Sequence, residues 1–254
     1  MNLSMNVSMN VSMSRSASLR RGWTVRTFFA AAVLGHAALS WASQSAAPQD
    51  LSSDKPPAEV TFAFERPGLD VPQFSFELRE DGSGFYRAQQ AEKPPTNTSI
   101  RGEAAQRIER SLTLSAPMVT QIFSAARQLQ SFNIPCASKL KNIADTGKKT
   151  LSYIGVDGKG SCIFHYSENK TVAKLTDDFI GIALTLDEGR RLDFLHKYDR
   201  LGLDAEMILL VDEVQAGQAL ELGTISHTLT SIAEDTALIQ RVRSKAQQLL
   251  DQSK

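Results

Sequence analysis

One short segment of the sequence brings together side chains that could transfer a proton. Asp193, His196 and Arg200 follow one another at intervals of three and four residues, and Asp199 comes three residues after His196. On one helical face this spacing would present a carboxylate, an imidazole and a guanidinium, the groups needed for proton transfer with stabilisation of an anion. Asp187 and Asp193 also precede basic residues by four positions, as in ordinary surface ion pairs. The segment therefore fits either a catalytic face or a solvated, salt-bridged one.

The motifs of common enzymatic chemistries are absent from the sequence. It contains no H-E-x-x-H, G-x-S-x-G, P-loop, EF-hand, G-x-G-x-x-G or C-x-x-C pattern. Each of these patterns places a metal ligand, a nucleophile or a phosphate-binding backbone where its chemistry needs it. We therefore expect no cofactor and no metal site, and a catalytic site would have to be assembled from distant residues.

The chain has 2 cysteines, Cys136 and Cys162. In an oxidising compartment paired thiols persist as disulfides, so we expect the two to be bonded and to stabilise the fold. The competing interpretation is a catalytic cysteine near His165. It would leave a free thiol in an oxidising compartment, and no local protease signature surrounds either cysteine.

The N-terminal residues 1–42 have the organisation of a secretory signal peptide. Arginines precede an apolar segment from Thr27 to Leu39, and small residues lie before a cleavage point after Ala42. The apolar segment is too short to span a bilayer, and residues 43–58 have the composition of a flexible linker. We expect an exported protein, periplasmic or secreted, with no membrane span after cleavage. An uncleaved signal would instead serve as a membrane anchor.

Charge argues against a nucleic-acid partner. The signal segment holds four arginines and no acid, which leaves 24 basic and 28 acidic residues of the 28 and 28 in the whole chain. A slightly acidic chain without a concentrated basic face is a poor binder of polyanions. We expect no nucleic-acid binding.

Residues 59–169 are predicted to form a strand-rich α+β domain. Apolar residues alternate in VTFAFE, FSFEL and QRIERSLTL, and the sequences DGSG at 81–84 and DGKG at 157–160 are typical of hairpin turns. Between the two hairpins, Ser115 can cap a helix that ends before Pro135. The pattern predicts a mostly antiparallel sheet of hairpins with one intervening helix.

Residues 170–254 are predicted to form a helical region that packs on this domain. Apolar residues recur at intervals of three and four, with breaks expected at Gly189, Gly202, Gly217 and Gly223. A last stripe from Ile225 to Leu249 predicts one long closing helix. That helix could mediate oligomerisation, and packing against the core explains its stripe equally well.

Three segments carry a resemblance to exported bacterial proteins of unknown function. They are FELREDGSGFY at 76–86, ADTGKKTLSYIGVDGKG at 144–160 and FIGIALTLDEGRRLDFLHKYDRLGLD at 179–204. The resemblance covers about residues 70 to 250 and implies export, but it implies no activity and no functional residues.

The sequence leaves three functions open. The first is a non-catalytic envelope or secreted module that binds a protein or a cell-wall component. The second is a cell-envelope hydrolase or transferase, which would need a cleft containing His196 with Asp193 or Asp199. The third is a membrane-tethered structural protein, if the signal is not cleaved. An enzyme should show polar side chains converging in a cleft, and a binding module should show an exposed apolar patch or sheet edge.

Overall fold

A computed structural model describes residues 57–92, 104–140 and 145–253. The predicted signal peptide, residues 1–42, and most of the predicted linker, residues 43–58, lie outside the described residues. The described residues form six strands and five α-helices.

Six strands form one antiparallel sheet in the order β4-β3-β2-β1-β5-β6. Every second side chain of the central strands is buried, as the alternation in the sequence predicts. The mostly antiparallel sheet of the sequence analysis is confirmed. The strands are β1 (Glu59–Glu65), β2 (Gln73–Arg79), β3 (Ser83–Gln90), β4 (Gln106–Thr113), β5 (Lys148–Gly155) and β6 (Gly158–Phe164).

One helix interrupts the sheet and four follow it, which confirms the α+β class with a helical C-terminal region. Ser115 caps the first helix, accepting a hydrogen bond from the backbone N–H of Met118 at 3.4 Å. Within the described ranges no helix has both the length and the hydropathy of a membrane-crossing segment. The helices are α1 (Ala116–Gln128), α2 (Lys170–Tyr198), α3 (Arg200–Gln215), α4 (Ser226–Glu234) and α5 (Gln240–Gln252).

The core lies on one face of the sheet, where α2 crosses it. The ring of Phe179 on α2 stacks on Phe62 with centroids 4.7 Å apart, and it lies 5.4 Å from the ring of Phe76. Farther along α2, Leu192 belongs to a second buried cluster formed with α3, α4 and α5. One long helix thus contributes to both apolar clusters.

Two predicted helix boundaries are wrong. Helix α2 continues through Gly189, where the missing side chain makes room for Ile225, since a Cβ atom there would overlap it. The predicted closing helix is two helices, because the chain turns at Asp235, whose Oδ1 accepts from the backbone N–H of Ala237 at 2.9 Å. The apolar stripe continues across this turn because both helices face the same cluster.

The two hairpin turns use glycine for different reasons. Gly82 has a φ of 86°, in the region that favours glycine. Gly158 does not have a positive φ; a Cβ atom there would overlap Ser131 instead. Ser131 is the middle of three residues in the left-handed conformation, with a φ of 55°. Because Ser131 contacts Gly158, the turn after α1 packs closely on the second hairpin.

The segment after this turn covers part of the outer edge of β6. Asn133 Nδ2 donates to the carbonyl of Lys159 at 2.8 Å, and the backbone N–H of Ser138 donates to the carbonyl of Tyr166 at 2.9 Å. Cys136 and Cys162 are bonded, with their Cα atoms 5.9 Å apart. The predicted disulfide therefore fastens the covering segment to the edge strand.

Candidate functional site

The residues singled out by spacing do not share one helical face. Helix α2 ends at Tyr198, and Arg200 begins α3. Asp199 lies between the helices, and its Oδ1 accepts from the backbone N–H of Gly202 at 3.1 Å as the cap of α3. The common face predicted for Asp193, His196 and Arg200 is therefore wrong, because the helix breaks before it reaches Arg200.

His196 and Arg200 meet instead at Asp235, which the sequence analysis did not single out. His196 Nε2 lies 2.9 Å from Asp235 Oδ2, and a guanidinium nitrogen of Arg200 lies 3.5 Å from the same oxygen. The hydrogen bond with His196 lowers the pKa of Asp235 below its usual value. His196 lines neither the cavity of about 550 Å³ on the sheet nor the three cavities of about 270 to 320 Å³ among the described residues. This arrangement ties the end of α2 to the end of α4.

A group of carboxyl side chains is buried between α2 and α3. Glu188 is 3% exposed, and its Oε2 has no hydrogen-bond partner among the described residues. Arg191 lies 2.8 Å from Glu206 Oε1 and 3.6 Å from Glu188 Oε1. Burial, followed by the hydrogen bond with Glu206, raises the pKa of Glu188 to about 8. Within the described ranges, no three His, Cys, Asp or Glu side chains are placed to hold a metal ion.

The raised pKa of Glu188 predicts a loss of stability as the pH rises from about 4.5 to about 8. The folded chain keeps a proton on Glu188 that the unfolded chain releases near the ordinary value of 4.5, so the free energy of unfolding falls as the pH rises from there to about 8. In the neutral variant Glu188→Gln, the free energy of unfolding should no longer fall in this way with pH. Urea unfolding at a series of pH values, followed by circular dichroism, measures it. Asp212→Asn, which changes an exposed carboxylate of α3, should keep the wild-type dependence of the unfolding free energy on pH. Equal slopes in wild type and Glu188→Gln would refute the buried proton.

The outer edge of β4 carries backbone groups that no strand of the described chain pairs. Leu114 follows β4 directly. Its N–H donates to the carbonyl of Gly82 at 3.0 Å, so it points toward the β3 side of the strand. Backbone groups alternate in direction along an antiparallel strand. Every second residue of β4 therefore directs its N–H and C=O groups away from β3. The four outward-facing residues are Arg107, Glu109, Ser111 and Thr113.

A cavity of about 270 Å³ lies between β4 and α2. Two of its acidic side chains are already paired: Asp187 accepts from Arg190 at 2.7 Å, and Glu109 accepts from Arg87 at 3.2 Å. Arg110 is different. Its NH1 atom is buried without a hydrogen-bond partner among the described residues. The wall consists of Tyr86, Gln106, Arg107, Ile108, Glu109, Arg110, Leu186, Asp187 and Arg190.

Three charged side chains of this wall act electrostatically on the hydroxyl group of Tyr86. Burial raises the pKa of the Tyr86 hydroxyl well above its ordinary value, and the charge of Asp187 raises it further. The charges of Arg190 and Arg110 act on the same hydroxyl in the opposite direction. One hydroxyl, one carboxylate and two guanidinium groups thus lie around a single small cavity.

Helix α2 continues from the cavity into an exposed aromatic pair. Phe194 is 56% exposed and Tyr198 is 64% exposed, and their ring centroids are 5.1 Å apart. Their spacing puts them on the same face of α2 as Asp187 and Arg190. Asp193, beside this pair, lies 3.9 Å from Arg110 on β4. We call the outer edge of β4, the cavity and the aromatic pair together the edge groove.

A larger cavity of about 550 Å³ lies elsewhere on the sheet. Four of its charged side chains pair with one another: Lys148 lies 3.4 Å from Glu65, and His165 Nδ1 lies 3.2 Å from Asp145. These four groups are paired within the protein, whereas the NH1 atom of Arg110 in the edge groove has no hydrogen-bond partner among the described residues. The edge groove is therefore the better candidate site.

No protein-family model and no curated protein matches this chain. The assignment of a function therefore depends on the geometry of the edge groove.

Proposed function

We propose that this chain is an exported, non-catalytic module that binds an extended segment of a partner protein along the edge groove. The observation that carries this proposal is the outer edge of β4, with its four outward-facing residues. A segment in the extended conformation would pair with these groups and add a seventh strand to the sheet, since backbone hydrogen bonds supply the affinity in this mode of recognition.

The contrast between the two sheet edges supports this proposal. An exposed edge strand invites pairing with other chains, and proteins usually cover or blunt such edges. Here the segment that contains Cys136 covers part of the β6 edge, and a disulfide fastens it there. No described segment covers β4 in the same way. The open edge is thus the one that is available to a partner.

The aromatic pair of α2 supports a protein partner. Exposed aromatic rings contribute large contact areas at interfaces and are frequent among the residues that dominate binding energy. Phe194 and Tyr198 contact each other and leave more than half of each side chain exposed. They offer an apolar anchor on the same helix that lines the cavity beside β4.

Export to the bacterial envelope or beyond is part of the same proposal. The apolar segment from Thr27 to Leu39 follows arginines and precedes small residues, as in secretory signals. The bond between Cys136 and Cys162 suits an oxidising compartment. Both features support a periplasmic or secreted module.

A proline in β4 tests the proposed binding mode. Ser111→Pro removes one outward-facing donor and leaves the hydrogen bonds between β3 and β4 in place. Peptides selected on the wild-type protein from a phage-displayed random library should bind this variant at least about tenfold more weakly. Ser111→Ala keeps the N–H group and should bind like wild type. Affinities are measured by fluorescence anisotropy with synthetic copies of the selected peptides.

A second measurement does not depend on the folding of the proline variant. A photo-reactive phenylalanine analogue at position 107 should cross-link to the selected peptides, and the same analogue at position 159 on β6 should not. Three results would contradict the proposal: no enrichment of peptides on wild type, equal binding to Ser111→Pro and Ser111→Ala, or cross-linking at position 159 alone. A wild-type dimer joined through β4, which Ser111→Pro dissociates, would assign the edge to a second copy instead.

A further inference from the structure

Arg110 is the cation of the edge groove whose hydrogen-bonding capacity is incompletely used among the described residues. A guanidinium has five N–H donors and stays charged at all ordinary pH values. Among the described residues, the carboxylate of Asp193 lies 3.9 Å from NH2, beyond normal hydrogen-bond length. NH1 is buried and has no partner among the described residues. The side chain of Arg110 is 34% exposed, so an acceptor that entered the cavity would reach its accessible donors and be favoured by them.

A carboxylate fits these unpaired donors best. Its two oxygens match the planar fork of a guanidinium and can accept two parallel hydrogen bonds. The Tyr86 hydroxyl, at the same cavity, can supply a further hydrogen bond. Asp187 also lines the cavity, and its negative charge would oppose a doubly charged phosphate more than a singly charged carboxylate.

The register of β4 explains how a bound segment would reach the cavity. Ile108, Arg110 and Leu112 place their side chains on the side of the sheet where α2 lies, since Leu112 is buried and Arg110 approaches Asp193. A segment paired with β4 would direct every second side chain to that same side. One of these side chains, or the end of the segment, would then lie above the cavity.

We infer that the cavity between β4 and α2 binds one carboxylate of the segment held at β4. The carboxylate comes from an acidic side chain or from the terminal carboxyl group of the segment. This inference depends on the proposed function, because it describes the side-chain specificity of the same groove. The small volume, about 270 Å³, suits one side chain or one chain end rather than a larger ligand.

Defined peptides test the inference. The probes are fluorescein-labelled peptides of alternating threonine and valine with an amidated C-terminal end. In the first set each position in turn carries glutamate, and in the second set the same position carries glutamine. A third set carries glutamine and a free terminal carboxyl group. The best glutamate peptide, or the free-carboxyl peptide, should bind wild type about tenfold to a hundredfold more tightly than the matching glutamine amide, because charge-assisted hydrogen bonds are the stronger ones. The set that gains affinity identifies the source of the carboxylate.

Two arginine variants complete the test. Arg110→Gln should abolish the advantage of the carboxylate and leave the affinity for the glutamine amide unchanged. Arg79→Gln removes a charge from the end of β2, outside the cavity wall, and should keep the advantage. Equal binding of glutamate and glutamine peptides to wild type, or an advantage that survives in Arg110→Gln, would overturn the carboxylate site alone. If no peptide of any set binds wild type, the proposed function fails with it.

Discussion

Replacing Phe179 with alanine is expected to lower the free energy of unfolding by about 3 to 5 kcal/mol. The side chain is fully buried, and it joins α2 to the sheet by stacking on Phe62 and contacting Phe76. Truncation would remove these contacts and leave a cavity that two neighbouring aromatic rings cannot easily fill. Urea unfolding followed by circular dichroism measures the change.

Phe194 on the same helix provides the matched control. It is 56% exposed, so Phe194→Ala should change the free energy of unfolding by no more than about 0.5 kcal/mol. If Phe194 anchors a partner, the same variant should weaken the binding of selected peptides. A small loss of stability in Phe179→Ala, comparable with that in Phe194→Ala, would contradict the packing of α2 on the sheet.

Removing the disulfide is expected to lower the free energy of unfolding by about 3.5 kcal/mol on the loop-entropy model. The double variant Cys136→Ser and Cys162→Ser leaves the hydrogen bonds of the covering segment in place but no longer fastens that segment to β6. Thermal unfolding of wild type with and without reductant gives an independent measurement of the same quantity. An unfolding free energy that neither reduction nor the double variant alters would contradict a stabilising bond.

The double variant should also self-associate. Once the covering segment can leave β6, the sheet has a second fully exposed edge that invites pairing with another chain. Light scattering after size-exclusion chromatography should detect oligomers of the double variant under conditions that keep wild type monomeric. A double variant that remains monomeric would show that the hydrogen bonds of Asn133 and Ser138 cover the edge without the disulfide.

Local elements of the fold could be predicted from the sequence. The strands alternate because one face of the sheet is buried, and the cap at Ser115 follows from its side chain and from the early proline of α1. The pairing of Cys136 with Cys162 was the only pairing that two cysteines allow. These features depend on residues that are neighbours in the sequence.

Elements that depend on distant contacts were mispredicted. Gly189 suggests a helix break by composition, but it lies within α2 because Ile225 needs the space. Asp235 interrupts an apolar stripe that continues on both sides, so the turn between α4 and α5 left no periodic signal. Spacing also suggested a shared face for His196 and Arg200, which actually meet at an aspartate from another helix.

The edge groove could not be predicted for the same reason. Arg110 and Arg190 come from separate elements, and only the strand order brings β4 next to α2. The sequence predicts that β4 is a strand, but it does not predict which strand lies at the edge. Nor does it indicate that a guanidinium nitrogen on this strand has no hydrogen-bond partner among the described residues.

Hydrogen exchange at β4 tests the proposed binding mode most directly. In the free protein, the outward-facing amides of Arg107, Glu109 and Ser111 should exchange rapidly, whereas those of Ile108 and Arg110, bonded to β3, should exchange slowly. A bound peptide selected on wild type should slow the first set and leave the second unchanged. Such an alternating pattern would show that the peptide has joined the sheet as a strand. Unchanged exchange at the outward-facing amides with peptide bound would contradict the binding of an extended segment at this edge.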